Sequence, residues 1–182
     1  MLGGPFVNHT VNFGPFDTAL AFELEMPPNW EAYNPQCIVR DLNNYIASRF
    51  CNQDVVDQLL NAGDIIEFQG NFTSYPTNID GFGPHGGGHL SLGNTMGDFF
   101  ASPSDPAFYL HHAQVDRMYA IWQDIDPENR RFALNGTLTF GYKNDTPEAT
   151  VDTVINWGVL GEPKKIGEIM DPMGGDYCYR YE

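Results

Sequence analysis

The sequence has little positive charge. Its 182 residues include 9 Lys and Arg against 24 Asp and Glu, which gives a formal net charge of −15 at pH 7. Nucleic acids and anionic membrane surfaces attract proteins through clustered Lys and Arg, so this balance argues against both as partners. We interpret the excess of carboxylates as a contribution to solubility and not as a guide for substrate.

Long apolar segments are also absent. No run of 18 apolar residues occurs, and we therefore expect no transmembrane helix. The first six residues lack the basic and then apolar segments of a signal peptide. Four Asn-x-Thr sequons, which begin at Asn8, Asn71, Asn135 and Asn144, favour a secreted parent protein. The sequence therefore leaves the location of the protein open.

Cysteine is scarce. Cys37, Cys51 and Cys178 are an odd number of thiols, so at least one is unpaired, and their spacing matches no zinc-binding pattern. Two interpretations remain: a Cys37–Cys178 bridge, or thiols buried as small apolar side chains.

The rest of the composition is that of a globular protein. Apolar residues make up 42% of the chain and aromatic residues 14%, which suffices for one domain with a core. Apolar periodicity predicts a mainly helical chain with a few short strands after Pro127. The predicted elements are a short one at 16–24, helices over 40–49, 52–63, 106–124, 151–157 and 165–170, and strands over 137–140 and 177–181.

Histidine is rare, yet four of the five histidines fall between residues 85 and 112. His85 and His89 are four residues apart, so on a helix they lie on one face and can converge on one metal ion. We expect the third ligand to be His112. Three neutral imidazoles suit copper, zinc, nickel or iron, and copper and zinc are favoured because no thiolate or carboxylate clearly joins the set.

The helix that carries His112 has a clear predicted start. Ser104-Asp-Pro106 combines residue types favoured at a helix N-cap with a proline in the first turn. Asp116 follows His112 by one turn, so its carboxylate can accept the free N–H of the imidazole and orient it; the alternative is an ion pair of Asp116 with Arg117 or another charge. The predicted apolar face of this helix consists of Val115, Met118, Tyr119 and Trp122.

His111 and the glycines between the first two histidines need separate interpretations. His111 lies about 100° around the helix from His112, so we expect it to be a buried, hydrogen-bonded neighbour and not a ligand. Gly86, Gly87 and Gly88 would each cost a helix about 1 kcal/mol relative to Ala, which makes a loop the alternative. Their functional interpretation is space beside the metal.

These residues resemble a known family. Asp105-Pro-x-Phe-Tyr-x-x-His112-x-x-x-Asp116, preceded by His85-x-x-x-His89, is similar to the second copper-binding (CuB) half of tyrosinases, catechol oxidases and molluscan haemocyanins, the type 3 copper proteins. The His-Gly-Gly-Gly-His segment and the tail over 170–181 are most similar to the short fungal tyrosinases and catechol oxidases. A weaker likeness extends over 34–41.

The resemblance implies a mainly α fold: part of a tyrosinase-type four-helix-bundle core, the CuB helix pair, with long irregular loops and a few short strands. It places residues 1–182 in a single CuB domain that begins after the segment binding the first copper (CuA), so we expect an N-terminally truncated chain with an exposed apolar face. The family uses three histidines for each of two coppers, whereas this chain has five. We therefore expect one copper per chain, bound by His85, His89 and His112.

The implied activity is that of a polyphenol oxidase, an oxidoreductase that converts o-diphenols or o-aminophenols to o-quinones with O2. We expect it only when a CuA-bearing segment is supplied. Tyrosinases often have Asn where this chain has Gly86, which favours oxidation of diphenols over hydroxylation of monophenols. By its spacing to His112, Phe99 is the residue that would stack on an aromatic substrate; the alternative is a place in the core.

Two other functions were weighed against oxidation. The chain could be a non-catalytic, mononuclear metal-binding fragment or pseudoenzyme. Oxygen carriage, as in haemocyanins, is disfavoured by the fungal-like tail.

Overall fold

Helices dominate the part of the chain that the structure describes. The computed structural model describes residues 6–14, 29–73, 82–139 and 146–181. In chain order the elements are β1 (Thr10–Val11), β2 (Gln36–Cys37), α1 (Asn44–Phe50), α2 (Gln53–Leu60), α3 (Ile65–Thr73), α4 (Gly83–Leu92), α5 (Ala107–Ile125), α6 (Pro127–Arg130), β3 (Val154–Ile155), β4 (Lys164–Lys165) and α7 (Ile166–Ile169). The mainly α expectation is confirmed, whereas the short element predicted at 16–24 lies outside the described residues.

The strands form two small antiparallel pairs. In the first, Thr10 lies opposite Cys37, and in the second, Val154 lies opposite Lys165. Each strand has only two residues, so these pairs fasten loops and do not form a layer of the fold. Among the described helices, none is both long and apolar enough to cross a bilayer.

The core lies between α2, α3 and α5. Its buried side chains are Leu59, Ala62, Phe68, Met118 and Trp122. Trp122 is fully buried, and its indole Nε1 donates a hydrogen bond to the Ala62 carbonyl over 2.9 Å. The guanidinium of Arg130 lies 4.7 Å from the centre of the Trp122 ring, in cation–π range. These contacts fix the C-terminal half of α5 in the core. The N-terminal half of α5, which carries His111 and His112, lies against α4.

Asparagine side chains begin the first two helices. Asn43 Oδ1 accepts from the Ile46 amide at 3.1 Å, and Asn52 Oδ1 accepts from the Val55 amide at 3.0 Å. Such caps satisfy amides that have no partner inside the helix. The prediction of α2 is confirmed with the expected cap. Helix α1 begins four residues later than predicted, because the side chain of Arg40 is directed to Asp105.

Three of the predicted elements in the last third of the chain are wrong. Over residues 137–139, the described part of the strand predicted at 137–140, there is only an isolated bridge between Thr137 and Glu148. Residues 151–157 form no helix; they include strand β3, which fits the β-branched Val151, Thr153, Val154 and Ile155. The tail at 177–181 is not a strand, because Cys178 has a positive φ of 51°, which interrupts an extended conformation. The helix predicted at 165–170 is confirmed as α7.

The three cysteines are free and exposed. The structure therefore contains neither the Cys37–Cys178 bridge nor the buried thiols that the sequence left as alternatives. Cys37 belongs to strand β2, whereas Cys178 belongs to the tail that lies against α5.

Candidate metal centre

Helices α4 and α5 bring four imidazole rings together. The ring centres of His85 and His89 are 4.9 Å apart, and that of His112 lies 5.4 Å from His85 and 5.1 Å from His89. The ring of His111 joins the same cluster, 5.7 Å from His85 and 4.9 Å from His89. The three predicted ligands therefore meet at one place, together with a fourth imidazole.

Hydrogen bonds define which nitrogen is available on two of these rings. His89 Nδ1 lies 2.8 Å from the Met96 carbonyl oxygen, and His112 Nδ1 lies 2.9 Å from the Phe108 carbonyl oxygen. A carbonyl oxygen only accepts, so each Nδ1 carries the proton and donates it. Each Nε2 then keeps a bare lone pair, which is the form of imidazole that binds a metal ion.

His111 makes a different contact. Its Nε2 donates a hydrogen bond to the His85 carbonyl oxygen over 2.9 Å, and its ring is nearly parallel to that of His85, at 7°. By separation alone, however, one ring nitrogen from each of His85, His89 and His111 falls within 4.8 Å of the others, which is close enough for a shared ion. The hydrogen bond leaves the lone pair of His111 on Nδ1, so hydrogen bonding alone does not exclude His111 as a ligand beside His112.

The segment with three glycines is helical. Helix α4 contains both His85 and His89, so the alternative of a loop is excluded. A Cβ added at Gly87 would lie 2.5 Å from Phe50 Cβ, so α1 and α4 are too close there for a side chain. At Gly86 an added Cβ would lie 3.0 Å from Phe82 Cβ, a tight contact but a longer one than at Gly87.

Aromatic rings flank the imidazoles. The Phe72 ring is parallel to His85 at 5.6 Å between centres, and the Phe108 ring stacks on His112 at 3.8 Å. Burial, followed by the neighbouring imidazoles, lowers the pKa of His85 to about 4. Burial and the charge of His89 also lower the pKa of His111 to about 4. These imidazoles are therefore neutral at pH 7, as metal binding requires.

Asp105 holds the N-terminus of α5. Its carboxylate is fully buried, accepts from Arg40 Nε at 2.8 Å and Arg40 Nη2 at 2.6 Å, and caps the Ala107 amide at 2.8 Å. Burial alone would raise the pKa of Asp105, but hydrogen bonds from Arg40 and Ala107 outweigh it and lower the pKa. This confirms the start that the sequence predicted for the helix carrying His112.

The other two predicted site residues, Asp116 and Phe99, make their observed contacts with residues other than the histidines. Asp116 accepts hydrogen bonds from the hydroxyls of Tyr179 and Tyr181, and not from Arg117 or a histidine among the bonds found in the described chain. Phe99 is 55% exposed and packs edge-on against Phe100, so it is not a core residue. The roles of Asp116 in orienting an imidazole and of Phe99 in binding substrate stay predictions.

Sequence reasoning missed three residues of this region. Phe108 precedes His112 by one turn, so helical spacing could have identified it as the ring beneath that histidine. Phe72 and Arg40 come from other segments of the chain, and nothing in their local sequence indicates a contact with His85 or Asp105.

The donor set fits a metal that prefers nitrogen. Neutral imidazoles on two facing helices suit copper or zinc, whereas magnesium and calcium prefer oxygen ligands. The fold and this cluster together are those of a helical protein with a group of histidines that could hold a metal ion.

Comparison with known proteins agrees with that class. The family model described as the common central domain of tyrosinase matches residues 1–125. The chain is 48% identical over 178 residues to tyrosinase P of Aspergillus terreus, covering 98% of this chain and 50% of that protein. It is 44% identical over 190 residues to the N-acetyl-6-hydroxytryptophan oxidase of Emericella nidulans, covering 100% of this chain and 52% of that protein. The chain therefore belongs to the tyrosinase family.

A solved structure supports the same conclusion. A polyphenol oxidase from Thermothelomyces thermophila, studied as a glycine-to-asparagine mutant, is similar with a TM-score of 0.85 and 34% sequence identity. The match covers 100% of this chain and 50% of that structure. The tyrosinase-type fold is thus confirmed, and the chain spans about half the length of these relatives. Proteins of this family are copper-dependent oxidoreductases.

Proposed function

We propose that this chain provides the CuB-type copper site of a polyphenol oxidase, with His85, His89 and His112 as the ligands. The observation that carries the proposal is the pair of Nδ1 hydrogen bonds to the Met96 and Phe108 carbonyls. They leave the Nε2 atoms of His89 and His112 unprotonated, in a cluster with His85.

His112 is preferred to His111 as the third ligand because of where the unprotonated nitrogen of each ring lies. The hydrogen bond from His111 Nε2 to the His85 carbonyl leaves the lone pair on Nδ1, which lies against the α4 backbone, 2.5 Å from the position of a Cβ at Gly88. The Nε2 of His112 carries the lone pair and is not used by the hydrogen bond that this ring makes. The stacking of Phe108 on His112 further holds that ring in place. Proximity of ring nitrogens supports His111 instead, so the two histidines must be compared directly by mutation.

The proposed reaction is the oxidation of o-diphenols to o-quinones, or of o-aminophenols to the corresponding o-quinone imines. Two molecules of a diphenol give up four electrons and four protons to one O2, and two molecules of quinone and two of water result. Copper, when bound, supplies the redox couple for this transfer. The chain's own residues would hold the metal with neutral imidazoles and flank two of the ligands with Phe72 and Phe108.

The names of two relatives support an aromatic hydroxyl substrate. One relative is named a tyrosinase, and another is named an oxidase of N-acetyl-6-hydroxytryptophan, which is a hydroxyindole. Phe99 is the residue we propose to stack on such a ring, because its exposed side chain is open to a ligand. For Asp116 we propose orientation of α5 through the tail, because the N–H of His112 is donated to the Phe108 carbonyl and the Asp116 carboxylate accepts from the tail.

We further propose that residues 1–182 act as a single CuB domain, and that oxidation depends on a CuA site supplied from elsewhere. The family's two coppers use six histidines, whereas the sequence has five, of which His9 lies far along the chain from the other four. A single copper exchanges one electron, so without a second copper the site lacks the means to pass two electrons to O2 together.

Copper stoichiometry and a diphenol assay test the proposal together. The chain should bind one copper tightly, and His112→Ala should abolish tight binding, with His9→Ala as the matched control that leaves it unchanged. Turnover of a catechol should be low for this chain alone. Two tightly bound coppers per chain with rapid turnover would contradict the half-site, and no tight binding would contradict the copper site itself.

The second candidate is a metal-binding protein without catalysis. It is favoured by one observation: among the described residues, the histidine cluster of α4 and α5 is the one group found that could hold an ion. Addition of a CuA-bearing tyrosinase fragment distinguishes the two, because quinone formation should then appear for the oxidase and not for the binding protein.

A further inference from the structure

The ring of His111 lies directly on the backbone of α4. A Cβ added at Gly88 would lie 2.1 Å from Cε1, 2.5 Å from Nδ1 and 2.8 Å from Nε2 of that ring. Real side chains do not approach so closely, so His111 and any residue other than glycine at position 88 exclude each other in this arrangement. Glycine at position 88 is thus explained by the imidazole and not by helix formation, which it disfavours.

The same ring is bonded to the helix it lies on. His111 Nε2 donates to the carbonyl oxygen of His85, three residues before Gly88 and on the same face of α4. The bond therefore joins α5 to the peptide of a proposed ligand. It is not a contact at the periphery: the ring is half-buried and stacks on the His85 imidazole.

We propose that His111 is a positioning residue that fixes α4 against α5, and that Gly88 is the seat that admits its ring. His112 and His111 are consecutive on α5, so holding His111 against the His85 carbonyl also sets the distance from His112 to the ligands of α4. This inference rests on the proposed ligand set of His85, His89 and His112. It depends on two contacts between α5 and α4: the hydrogen bond from His111 to the His85 carbonyl, and the close approach of the His111 ring to Gly88.

A double-mutant comparison of thermal unfolding tests the seat. In the wild-type background Gly88→Ala should lower the Tm, because the new methyl group collides with the His111 ring. In the His111→Ala background the same substitution should raise the Tm, because alanine is the better helix former and the ring is gone. Gly97→Ala, whose new methyl would lie 3.7 Å from Leu90 Cδ2, is the matched control and should act equally in both backgrounds.

That comparison is made on metal-free protein, so it does not depend on copper. A reversal of sign between the two backgrounds supports the seat. Equal effects of Gly88→Ala in both backgrounds would overturn it.

Metal affinity tests the positioning role. His111→Ala should still bind one Cu²⁺ or Co²⁺ per chain, with affinity reduced about 10- to 100-fold, as is typical when a group behind a ligand is lost. His111→Gln retains an N–H donor and should recover part of that loss, which a purely space-filling role does not predict. The visible spectrum of bound Co²⁺ should shift in His111→Ala and shift less in His111→Gln.

The outcomes separate this inference from the proposed function. If His111→Ala abolishes binding and His112→Ala does not, His111 is the ligand and the positioning role is wrong. If the wild-type chain binds no metal, the proposed function and the positioning role both fail, whatever the unfolding data show. If metal binds through His112 but the sign of the Gly88 effect does not reverse, the seat alone fails.

Discussion

At the scale of single residues, consecutive glycines of α4 have different neighbours. Gly87 lies against the Cβ of Phe50. Because a Cβ is bonded directly to the backbone, rotation of the side chain cannot move it away. We expect Gly87→Ala to reduce the free energy of unfolding by about 1–3 kcal/mol through overpacking, despite the better helix propensity of alanine. Denaturant unfolding measures this, with Gly63→Ala as control, since its nearest neighbour would be Glu67 Oε2 at 3.5 Å. An unchanged stability of Gly87→Ala would show that α1 can shift.

Individual roles were predictable where the cause is local. The i, i+4 spacing of His85 and His89 predicted rings on one side of a helix. The rotation of about 100° between His111 and His112 predicted that His111 makes a hydrogen bond. Phe72 against His85 was not predictable, because it depends on how α3 packs on α4. The partners of Asp116 were missed because they come from a tail 63 and 65 residues further along the chain.

At the scale of elements, the start of α5 depends on one buried carboxylate. Asp105→Ala removes both the cap and the partner of Arg40, whose side chain is itself 31% exposed. We expect a loss of about 2–4 kcal/mol in the free energy of unfolding, and a smaller loss for Asp105→Asn, which keeps a capping oxygen. Asp152→Ala is the control, because its pair with Lys165 is exposed and such pairs contribute at most about 1 kcal/mol.

The Asp105 carboxylate also makes the free energy of unfolding depend on pH in the acidic range. The folded chain lowers the pKa of Asp105, so its contribution is fully present above the unfolded pKa of about 4 and is lost as the pH falls through the folded pKa. The wild-type chain should therefore lose more stability than Asp105→Asn when the pH is lowered from neutrality through that range. Parallel losses in the two proteins would contradict the ion pair.

The tail is fastened to α5 by two phenols. The hydroxyls of Tyr179 and Tyr181 both donate to Asp116 Oδ2. Burial, followed by this carboxylate, raises the pKa of Tyr181 to about 12 and also raises the pKa of Tyr179. A raised phenol pKa means that docking is fully supported below the free pKa of about 10 and is lost as the pH rises through the folded value.

We therefore expect the tail to become sensitive to proteolysis at alkaline pH. A spectrophotometric titration should show two phenols of Asp116→Asn ionising at lower pH than in the wild type. Tyr177→Phe serves as control, because the ring of Tyr177 packs 6.2 Å from Tyr179 whereas its hydroxyl is not among those bonded to Asp116. Identical titrations of the wild type and Asp116→Asn would exclude the phenol–carboxylate contact.

Elements with strong local signals were predicted from the sequence, and elements without them were not. Helix α2 has a capping asparagine and an apolar face, and α5 has Asp-Pro and a long periodic face, so local physics specifies both. Residues 151–157 suggested a helix by their apolar spacing, but β-branching and the pairing of Val154 with Lys165 favoured a strand. The pairing of β3 with β4 depends on the tertiary fold, so it cannot be predicted from the spacing of apolar residues within 151–157.

At the scale of the whole molecule, the N-terminal half of α5 is poorly covered. Tyr109 is 64% and Leu110 is 77% exposed, next to the histidine pair. Large apolar side chains on one helix that carries a site are typical of a surface made to be covered. The exposed apolar face expected from the sequence stays a prediction, and Tyr109 and Leu110 are the residues that we would assign to it.

Metal removal should affect the two histidine helices unequally. Helix α5 has a buried cap and a core face, whereas α4 contains three consecutive glycines that together cost about 3 kcal/mol relative to alanine. On chelation, amide hydrogen exchange should accelerate in α4 and change little in α5 around Trp122. Acceleration of the same size in both helices would contradict a difference in their local stability.

The glycines of α4 also have a consequence for the order of assembly. Because its glycines disfavour the helix, α4 is expected to form late in folding, by packing on an α5 that has already formed. A metal ion that bridges His85 and His89 to His112 would stabilise the packed pair of helices. Without the ion, α4 would still pack on α5 through His111, but it would open more often than the rest of the core. A bound ion would then lengthen the time that the two helices spend together.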